Sequence, residues 1–261
     1  MIEGLDKSVN EIVALVESKT GKGIEFLKQP NLESYAAVKM ARSDMPKHII
    51  AYNPAHVENL NHLIPHECGH ILRFFSALPF KRVVPYTTDD MYNATMDNIL
   101  DDISPIIQRF ATERGVSIVK HYYANIMKGL INYPPDIMVE KWLYTNYPSL
   151  RPYQVETINE QFADVIYNLR SETNIFAWTN IFHSSFLLCY AFFRVMGELL
   201  NVNYVRSFGT NVDIARGKEL VRMLKESTED SYESDIAMVN KWASYLKLTD
   251  WFRWVPFETM E

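Results

Sequence analysis

The chain has 261 residues, of which 48% are hydrophobic and 22% are charged, and its formal net charge is −6. This composition is ordinary for a globular protein, and the chain is long enough to bury a sizeable core. No long stretch of Lys and Arg is present, so we expect no nucleic-acid partner. Two cysteines, Cys68 and Cys189, are too few for a disulfide framework and favour a reducing, cytoplasmic location.

The apolar segments of the chain argue against a membrane protein. The longest apolar run, Phe186 to Phe193, is far too short to span a bilayer. The N-terminus carries acidic residues within its apolar pattern and lacks the charged-then-apolar layout of an export signal. We therefore expect no membrane partner.

The N-terminal part of the chain predicts one helix followed by a small sheet. Apolar residues at helical spacing indicate a helix over 2–19, which ends at Gly21. Three short strands follow at 24–28, 35–40 and 48–52. The strand at 48–52 has two interpretations: a sheet edge that pairs with an extended peptide, or a plain buried strand.

A second helix carries the most informative motif in the chain. Asn53 and Pro54 form a good helix start, and the helix is predicted to reach about residue 75 with a kink or break at Pro65. Within it the sequence reads His-Glu-Cys-Gly-His over residues 66–70. Residues four apart share a helix face, so His66 and His70 can direct two imidazoles at one metal ion.

The residue beside the first histidine adds a catalytic group. Glu67 follows His66 directly, and a carboxylate next to a metal-activated water can take up the proton of that water. Cys68 lies elsewhere on the helix and is predicted to be a packed thiol. His62, one turn before His66, extends the polar face if the helix is continuous through Pro65.

The segment resembles the active-site helix of the zincin metallopeptidases. The resemblance rests on His66, Glu67 and His70, with Gly69 as a frequent companion, and covers about a fifth of the chain. It implies zinc as the metal, His66 and His70 as its ligands, and Glu67 as the general base. The third histidine of the metzincins is absent, so a gluzincin-like site with a carboxylate from a later helix is implied.

The rest of the chain predicts helices with 3.6-residue spacing. A linker at 79–88, rich in Pro and basic residues, is the predicted boundary between an α/β lobe (1–80) and a helical lobe (81–261) of one domain. The expected fold class is a predominantly α-helical, zincin-like α+β fold, with the N-terminal sheet packed on the motif helix. The predicted helices cover 89–113, 116–131, 135–146, 149–170, 175–200, 213–227 and 231–247.

Three segments offer the carboxylate that completes the metal site. A ligand must lie at the rim of an apolar helix face, because its charge is costly to bury at the centre. Asp136 and Glu140 meet this condition, and Pro134 with Pro135 is predicted to begin their helix and place Asp136 in its first turn. One acid of the pair would bind the metal, and the other would orient a histidine. The alternatives are Asp97, Asp101 and Asp102, or Glu160 and Asp164.

Two further groups of residues each have a functional and a structural interpretation. The segments His121 to Tyr123 and Arg151 to Tyr153 offer hydrogen-bond donors that could stabilise an oxyanion, although each of these residues also has a structural interpretation. The aromatic C-terminus either closes the core or forms a homo-oligomer surface. Its members are Trp242, Tyr245, Trp251, Phe252, Trp254 and Phe257.

These patterns together predict zinc-dependent hydrolysis of a peptide bond in a peptide or protein substrate. Two alternatives remain open at the level of sequence. One is a non-catalytic, metal-stabilised regulatory or interaction module, and the other is a metal-dependent hydrolase of a non-peptide amide or ester. A closed site with four protein ligands would favour the module, because catalytic zinc keeps an exchangeable position.

Overall fold

The computed structural model describes residues 2, 4–110, 112–176, 180–208, 214–227 and 229–259, and omits the side chains of 112 and 170–182. These residues form a predominantly α-helical α+β fold with one sheet of three strands and one of two. The predicted fold class is therefore confirmed at the level of α+β. Within the described part of the chain, no helix combines the length and apolar character needed to cross a membrane.

The N-terminal helix packs on the three-stranded sheet and the motif helix. Helix α1 (Lys7–Thr20) begins where the Asp6 carboxylate accepts a hydrogen bond from the Ser8 amide, and it ends at Gly21 with φ 68°. Its inner face, formed by Val9, Ile12 and Val16, is fully buried. The predicted helix is confirmed, with a later start than expected.

The order of the three strands corrects one prediction. Strands β1 (Gly23–Lys28), β2 (Ala36–Lys39) and β3 (Lys47–Tyr52) form a sheet in which β3 lies between the other two. Strand β1 is parallel to β3, and β2 is antiparallel to it. The assignment of 48–52 as an edge strand is therefore wrong, and its alternative as a buried strand is correct. Strand β2 occupies an edge.

The motif helix α2 (Leu60–Ser76) follows a 3-10 turn at Pro54–Asn59. The chain departs from helical geometry at His56, whereas α2 continues through Pro65 without interruption. The predicted break at Pro65 is therefore wrong, and a kink there stays a prediction. A proline removes one helical hydrogen bond, and the carbonyl affected here, that of Asn61, lies in the first turn.

The helix that supplies the acids is longer than predicted. Segments 116–131 and 135–146 belong to one helix, α5 (Thr112–Asn146), which runs through Pro134 and Pro135. Asp136 therefore lies in the middle of a helix and not in a first turn, which corrects that prediction. Leu130 and Ile137, on either side of the prolines, are fully buried, so packing holds the helix together where two backbone donors are missing.

The other predicted helices are present with adjusted limits. The predicted helix 89–113 is two helices that meet at Ile99, and helices are present in the ranges predicted at 149–170 and 175–200, with shifted limits. Residues 111 and 177–179 of these predictions lie outside the described part of the chain. The remaining helices are α3 (Asp89–Asn98), α4 (Leu100–Arg109), α6 (Arg151–Phe176), α7 (Asn180–Leu200), α8 (Ile214–Lys225) and α9 (Tyr232–Leu246).

A second sheet was missed by the sequence analysis. Strands β4 (Val83–Tyr86) and β5 (Arg253–Pro256) pair in antiparallel fashion, with Val84 opposite Val255. The predicted linker thus contains a strand, and the C-terminal segment is not wholly helical. Each strand is four residues long and contains a proline, so the alternating pattern that predicts a strand is too short to recognise.

Two hydrophobic clusters form the core. The smaller one joins α1, the three-stranded sheet and α2, and also takes Val139, Leu143 and Leu150 from beyond the predicted lobe boundary. The larger one contains most of the later helices. Of the C-terminal aromatics, Trp242, Trp251, Phe252 and Phe257 are buried, and Tyr245 and Trp254 pack against the larger cluster. These residues close the core, while a homo-oligomer remains a prediction.

Candidate metal centre

The candidate site forms where α2 crosses α5 at close range. A Cβ atom built on Gly69 would lie 2.5 Å from Cγ1 of Val139, which is closer than real side chains approach. The missing side chain of Gly69 therefore allows the two helices to approach closely. Asp136 and Glu140 lie one turn apart on α5 and flank Val139, so both carboxylates reach the histidines of α2.

Three side chains converge on one point in this contact. His70 Nε2 lies 3.0 Å from His66 Nε2 and 3.0 Å from Asp136 Oδ1, and His66 Nε2 lies 3.6 Å from the same oxygen. A tetrahedral zinc ion with ligand bonds of about 2.0–2.1 Å needs ligand atoms about 3.3 Å apart. The spacing of these three atoms, and their chemistry of two imidazoles and one carboxylate, fit such an ion.

Glu140 contacts the other side of the same histidine. Its Oε1 lies 2.7 Å from His66 Nδ1, so this bond leaves His66 Nε2 directed toward His70 and Asp136. His62 Nε2 lies 2.9 and 3.1 Å from the two carboxylate oxygens of Glu140. Gln154 donates its amide to the same carboxylate and, at 3.0 Å, to the Glu140 carbonyl. Glu140 is thus a buried hydrogen-bond acceptor that orients His66.

A second set of ligand atoms has a different character. His62, His66 and Glu140 also bring three potential ligand atoms together. Their closest separations, 2.7 and 2.9 Å, are the lengths of hydrogen bonds to a carboxylate and shorter than the edges of a zinc tetrahedron. We therefore take the His66, His70 and Asp136 set as the candidate metal site. Because α2 is continuous through Pro65, His62 extends the polar face of the motif helix, and its imidazole contacts Glu140.

The electrostatics of the site favour a cation. Burial alone would raise the pKa of Glu140, but His62 and His66 hold it well below its ordinary value. Burial would likewise raise the pKa of Asp136, but hydrogen bonds with His66 and His70 lower it. Burial opposes protonation of His66, yet the two carboxylates raise its pKa well above normal. The buried, ionised carboxylate of Glu140 thus faces His62 and His66, and the partly buried, ionised carboxylate of Asp136 faces His66 and His70.

Glu67 differs from the other acids in its surroundings. Burial raises the pKa of this carboxyl group, although His66 and His70 act against the shift. Only 9% of the residue is exposed, and it lines the cleft beside the imidazoles. Among the described residues, the Glu67 carboxylate has no hydrogen-bond partner in the protein, so its oxygens are available to a molecule in the cleft. Cys68, by contrast, is fully buried as a packed thiol.

The cleft has a volume of about 630 Å³ and opens directly onto the ligand set. One wall is the edge strand β2, with Tyr35 just before it. The opposite wall consists of α5, α6 and α7. The polar residues of this wall include Lys128 and Asn132 on α5, and Gln161, Asp164 and Asn168 on α6. None of these, apart from Asp164, was singled out by the sequence analysis, because a polar residue on a helix face has no local signal of a cleft.

The other predicted ligands lie elsewhere. Asp97 is exposed, and Asp101 and Asp102 line a separate cavity next to Asp250. Glu160 accepts a hydrogen bond of 2.6 Å from Asn59. These acids are not brought near the two imidazoles.

Asp164 lines the cleft but is engaged by another residue. Its Oδ2 accepts a hydrogen bond of 2.6 Å from the Tyr35 hydroxyl. The pair connects the β2 wall of the cleft with α6, and Asp164 belongs to neither group of potential ligand atoms. Neither acid of the third segment therefore completes the ligand set.

None of the residues considered as oxyanion donors lines the main cleft beside Glu67. Tyr123 donates its hydroxyl to the Trp251 carbonyl at 2.9 Å, and Arg151 donates to the Tyr144 carbonyl at 2.8 Å. His121 precedes Asp136 by fifteen residues on α5, about 22 Å along the axis. The structure thus places these candidates away from the ligand set.

Comparisons with known proteins add no assignment to this geometry. No protein-family model, curated protein or solved structure matches the chain. Any assignment of function therefore depends on the residues of this chain alone.

Proposed function

We propose that the protein is a zinc-dependent hydrolase that cleaves peptide bonds. The observation that carries the proposal is the convergence of His66 Nε2, His70 Nε2 and Asp136 Oδ1 at separations of 3.0–3.6 Å beside an open cleft. Two imidazoles and a carboxylate are a ligand set of catalytic zinc, which keeps its remaining position for water or substrate. The resemblance of residues 66–70 to zincins supports the same metal.

The proposed roles of the residues follow from their positions. His66, His70 and Asp136 would hold the ion, which when bound supplies a Lewis acid that polarises a carbonyl and acidifies water. Glu140 fixes the ring of His66 through the 2.7 Å bond to Nδ1. Glu67 has a free carboxylate at the cleft, so it takes a proton from the attacking water and returns it to the leaving amine.

The shape of the cleft supports a peptide over a small amide or ester. The edge strand β2 lines it through Ala36, Ala37 and Val38. A sheet edge presents backbone donors and acceptors that can pair with an extended peptide. A cleft bounded by such an edge and by polar helix faces suits an extended polypeptide.

The alternative of a metal-stabilised module is less well supported. A closed structural zinc site requires four protein ligands. Among the described residues, the candidate set offers three, and the cleft reaches the imidazoles directly. A cytoplasmic location belongs to the same proposal, because two cysteines, Cys68 and Cys189, are too few for a disulfide framework.

The first test replaces the proposed base and leaves the metal ligands in place. We expect Glu67→Gln to bind zinc as tightly as the native protein and to lose about 10²–10⁴-fold in kcat/KM, the usual contribution of a general base. Zinc content would be measured by atomic emission, and hydrolysis with panels of peptides, small amides and esters.

Glu58→Gln is the matched control, since Glu58 is an exposed acid just before the motif helix. This variant should retain native activity. Native turnover by Glu67→Gln would refute the assignment of the base. Absence of zinc from the native protein would refute the metal site.

A further inference from the structure

The cleft has a polar extension along α5 that the proposed chemistry does not use. A cavity of about 330 Å³ shares Lys128, Asn132 and Asp136 with the main cleft and continues to Asn125 and His121. These five residues follow one another at intervals of three or four, so they form a single stripe on the helix. We call this stripe and the facing part of α6 the α5 track.

The opposite wall of the track runs along α6 in the reverse sense. Gln161 and Asp164 line only the main cleft, whereas Asn168, two turns after Gln161, lines both cavities. Leu169 and Ser185 complete the wall of the extension. The main cleft and the extension therefore form one groove, with the metal ligands between its two ends.

The two ends of the groove differ in charge. Glu33 and Asp164 lie at the end beside β2. At the other end, Lys128 is the lone cationic residue of the described lining apart from histidines, and no acid other than Asp136 lines the extension. Lys128 is exposed and forms no ion pair with a described residue, so its ammonium is available. A dipolar groove of this kind suits a peptide, whose ends carry opposite charges.

We propose that Lys128 binds a carboxylate of the substrate and that the α5 track selects peptides carrying one. This inference deepens the proposed function and rests on it. Lys128 precedes Asp136 by eight residues, about 12 Å along the helix axis. An extended peptide advances about 3.3 Å per residue, so the carboxylate lies about three to four residues from the cleaved bond. Asn132, between the two, faces the backbone of that stretch.

The test compares three N-acetylated alanine hexapeptides: one with a free C-terminus, one with a C-terminal amide, and one amidated with Asp in the last position. Their binding to the zinc-loaded Glu67→Gln protein is measured by calorimetry, which requires no turnover. We expect each carboxylate peptide to bind about tenfold more tightly than the neutral amide, as a charge-assisted hydrogen bond provides. An advantage confined to the free C-terminus would identify the terminal carboxylate as the ligand.

Two lysine variants make the test specific. Lys128→Ala should bring the three peptides to the same affinity, and Lys128→Glu should favour the neutral amide. Lys241→Ala, at an exposed lysine of α9 outside the groove, should preserve the advantage of the carboxylates. The proposal is overturned if the carboxylate peptides keep their higher affinity in Lys128→Ala. It is also overturned if they have no higher affinity in the Glu67→Gln protein that retains Lys128.

Cleavage by the native protein separates this proposal from the general one. If the native protein cleaves no peptide but the Lys128-dependent discrimination is present, the hydrolase proposal fails and the carboxylate site stands. If the native protein cleaves the acid and amide peptides equally well and Lys128→Ala changes neither rate, the carboxylate site fails and the hydrolase stands.

Discussion

At the scale of single residues, the site depends on which acid of α5 meets the imidazoles. Asp136 Oδ1 is within 3.0 Å of His70 and 3.6 Å of His66, whereas Glu140 contacts the opposite nitrogen of His66. The two acids were predicted to divide the roles of ligand and orienting group, and the structure places them in a geometry that suits this division. Which of them binds a metal remains a prediction.

We expect Asp136→Ala to weaken zinc binding by about 100-fold or more, because it removes one of three protein ligands. Glu140→Gln keeps the shape of the side chain and should weaken binding by about 10–100-fold, the usual effect of losing an orienting partner. Competition with a chromogenic chelator would measure both. Asp101→Ala is the control, and a loss of affinity there with none in Asp136→Ala would contradict the assignment.

At the scale of elements, the contact of α2 with α5 decides whether the ligands meet. Replacing Gly69 by Ala improves helix propensity by about 1 kcal/mol. The added methyl would lie 2.5 Å from Val139 Cγ1, however, and overpacking of this kind costs about 1–3 kcal/mol. We expect the cost of overpacking to exceed the gain in helix propensity, so that Gly69→Ala lowers the free energy of unfolding measured in urea and weakens zinc binding.

Val139→Ala in the same chain tests this cause. It removes the atoms that the new methyl would meet, so the double variant should recover part of the zinc affinity lost in Gly69→Ala. Native stability and zinc affinity in Gly69→Ala would show that the helices can separate at no cost.

The same elements show how much the sequence reveals. The periodicity of α2 and the rim position of Asp136 on its helix are local properties. They predicted that Asp136 meets His66 and His70, and the structure brings these three residues together. The continuity of α5 through Pro134 and Pro135 depends instead on burial by distant helices, which no local pattern contains. The pairing of β4 with β5 joins segments about 170 residues apart, and the Gly69 contact requires knowing that Val139 faces it.

At the scale of the whole molecule, buried polar contacts tie the two hydrophobic clusters together. Arg73 of α2 forms a bidentate ion pair with Asp235 of α9, with distances of 2.8 and 2.7 Å, and both side chains are largely buried. The motif helix is thus fixed from one side by α5 and from the other by α9. Such anchoring at both sides suits a site that needs ligand atoms held at fixed separations.

The acid stability of the fold is expected to depend on His48. This residue is fully buried in β3, where its Nδ1 accepts a hydrogen bond of 3.0 Å from the Ala41 amide. Burial, together with the charge of Lys22, lowers the pKa of His48 to about 4. In the unfolded chain the pKa is about 6.5. Protonation therefore favours unfolding, and stability that is complete above pH 6.5 is lost as the pH falls toward 4.

One pKa unit corresponds to about 1.4 kcal/mol, so we expect the free energy of unfolding to fall by roughly 2–3 kcal/mol between pH 6.5 and 4. Urea denaturation of the metal-free protein across this range would measure it. His66 does not add to this loss of stability. Its pKa is raised in the folded protein, so its contribution to the free energy of unfolding is already complete below pH 6.5. His48→Asn keeps an acceptor for Ala41 and removes the titration, so its stability should change less over the same range. An equal slope in both proteins would place the acid sensitivity at other groups.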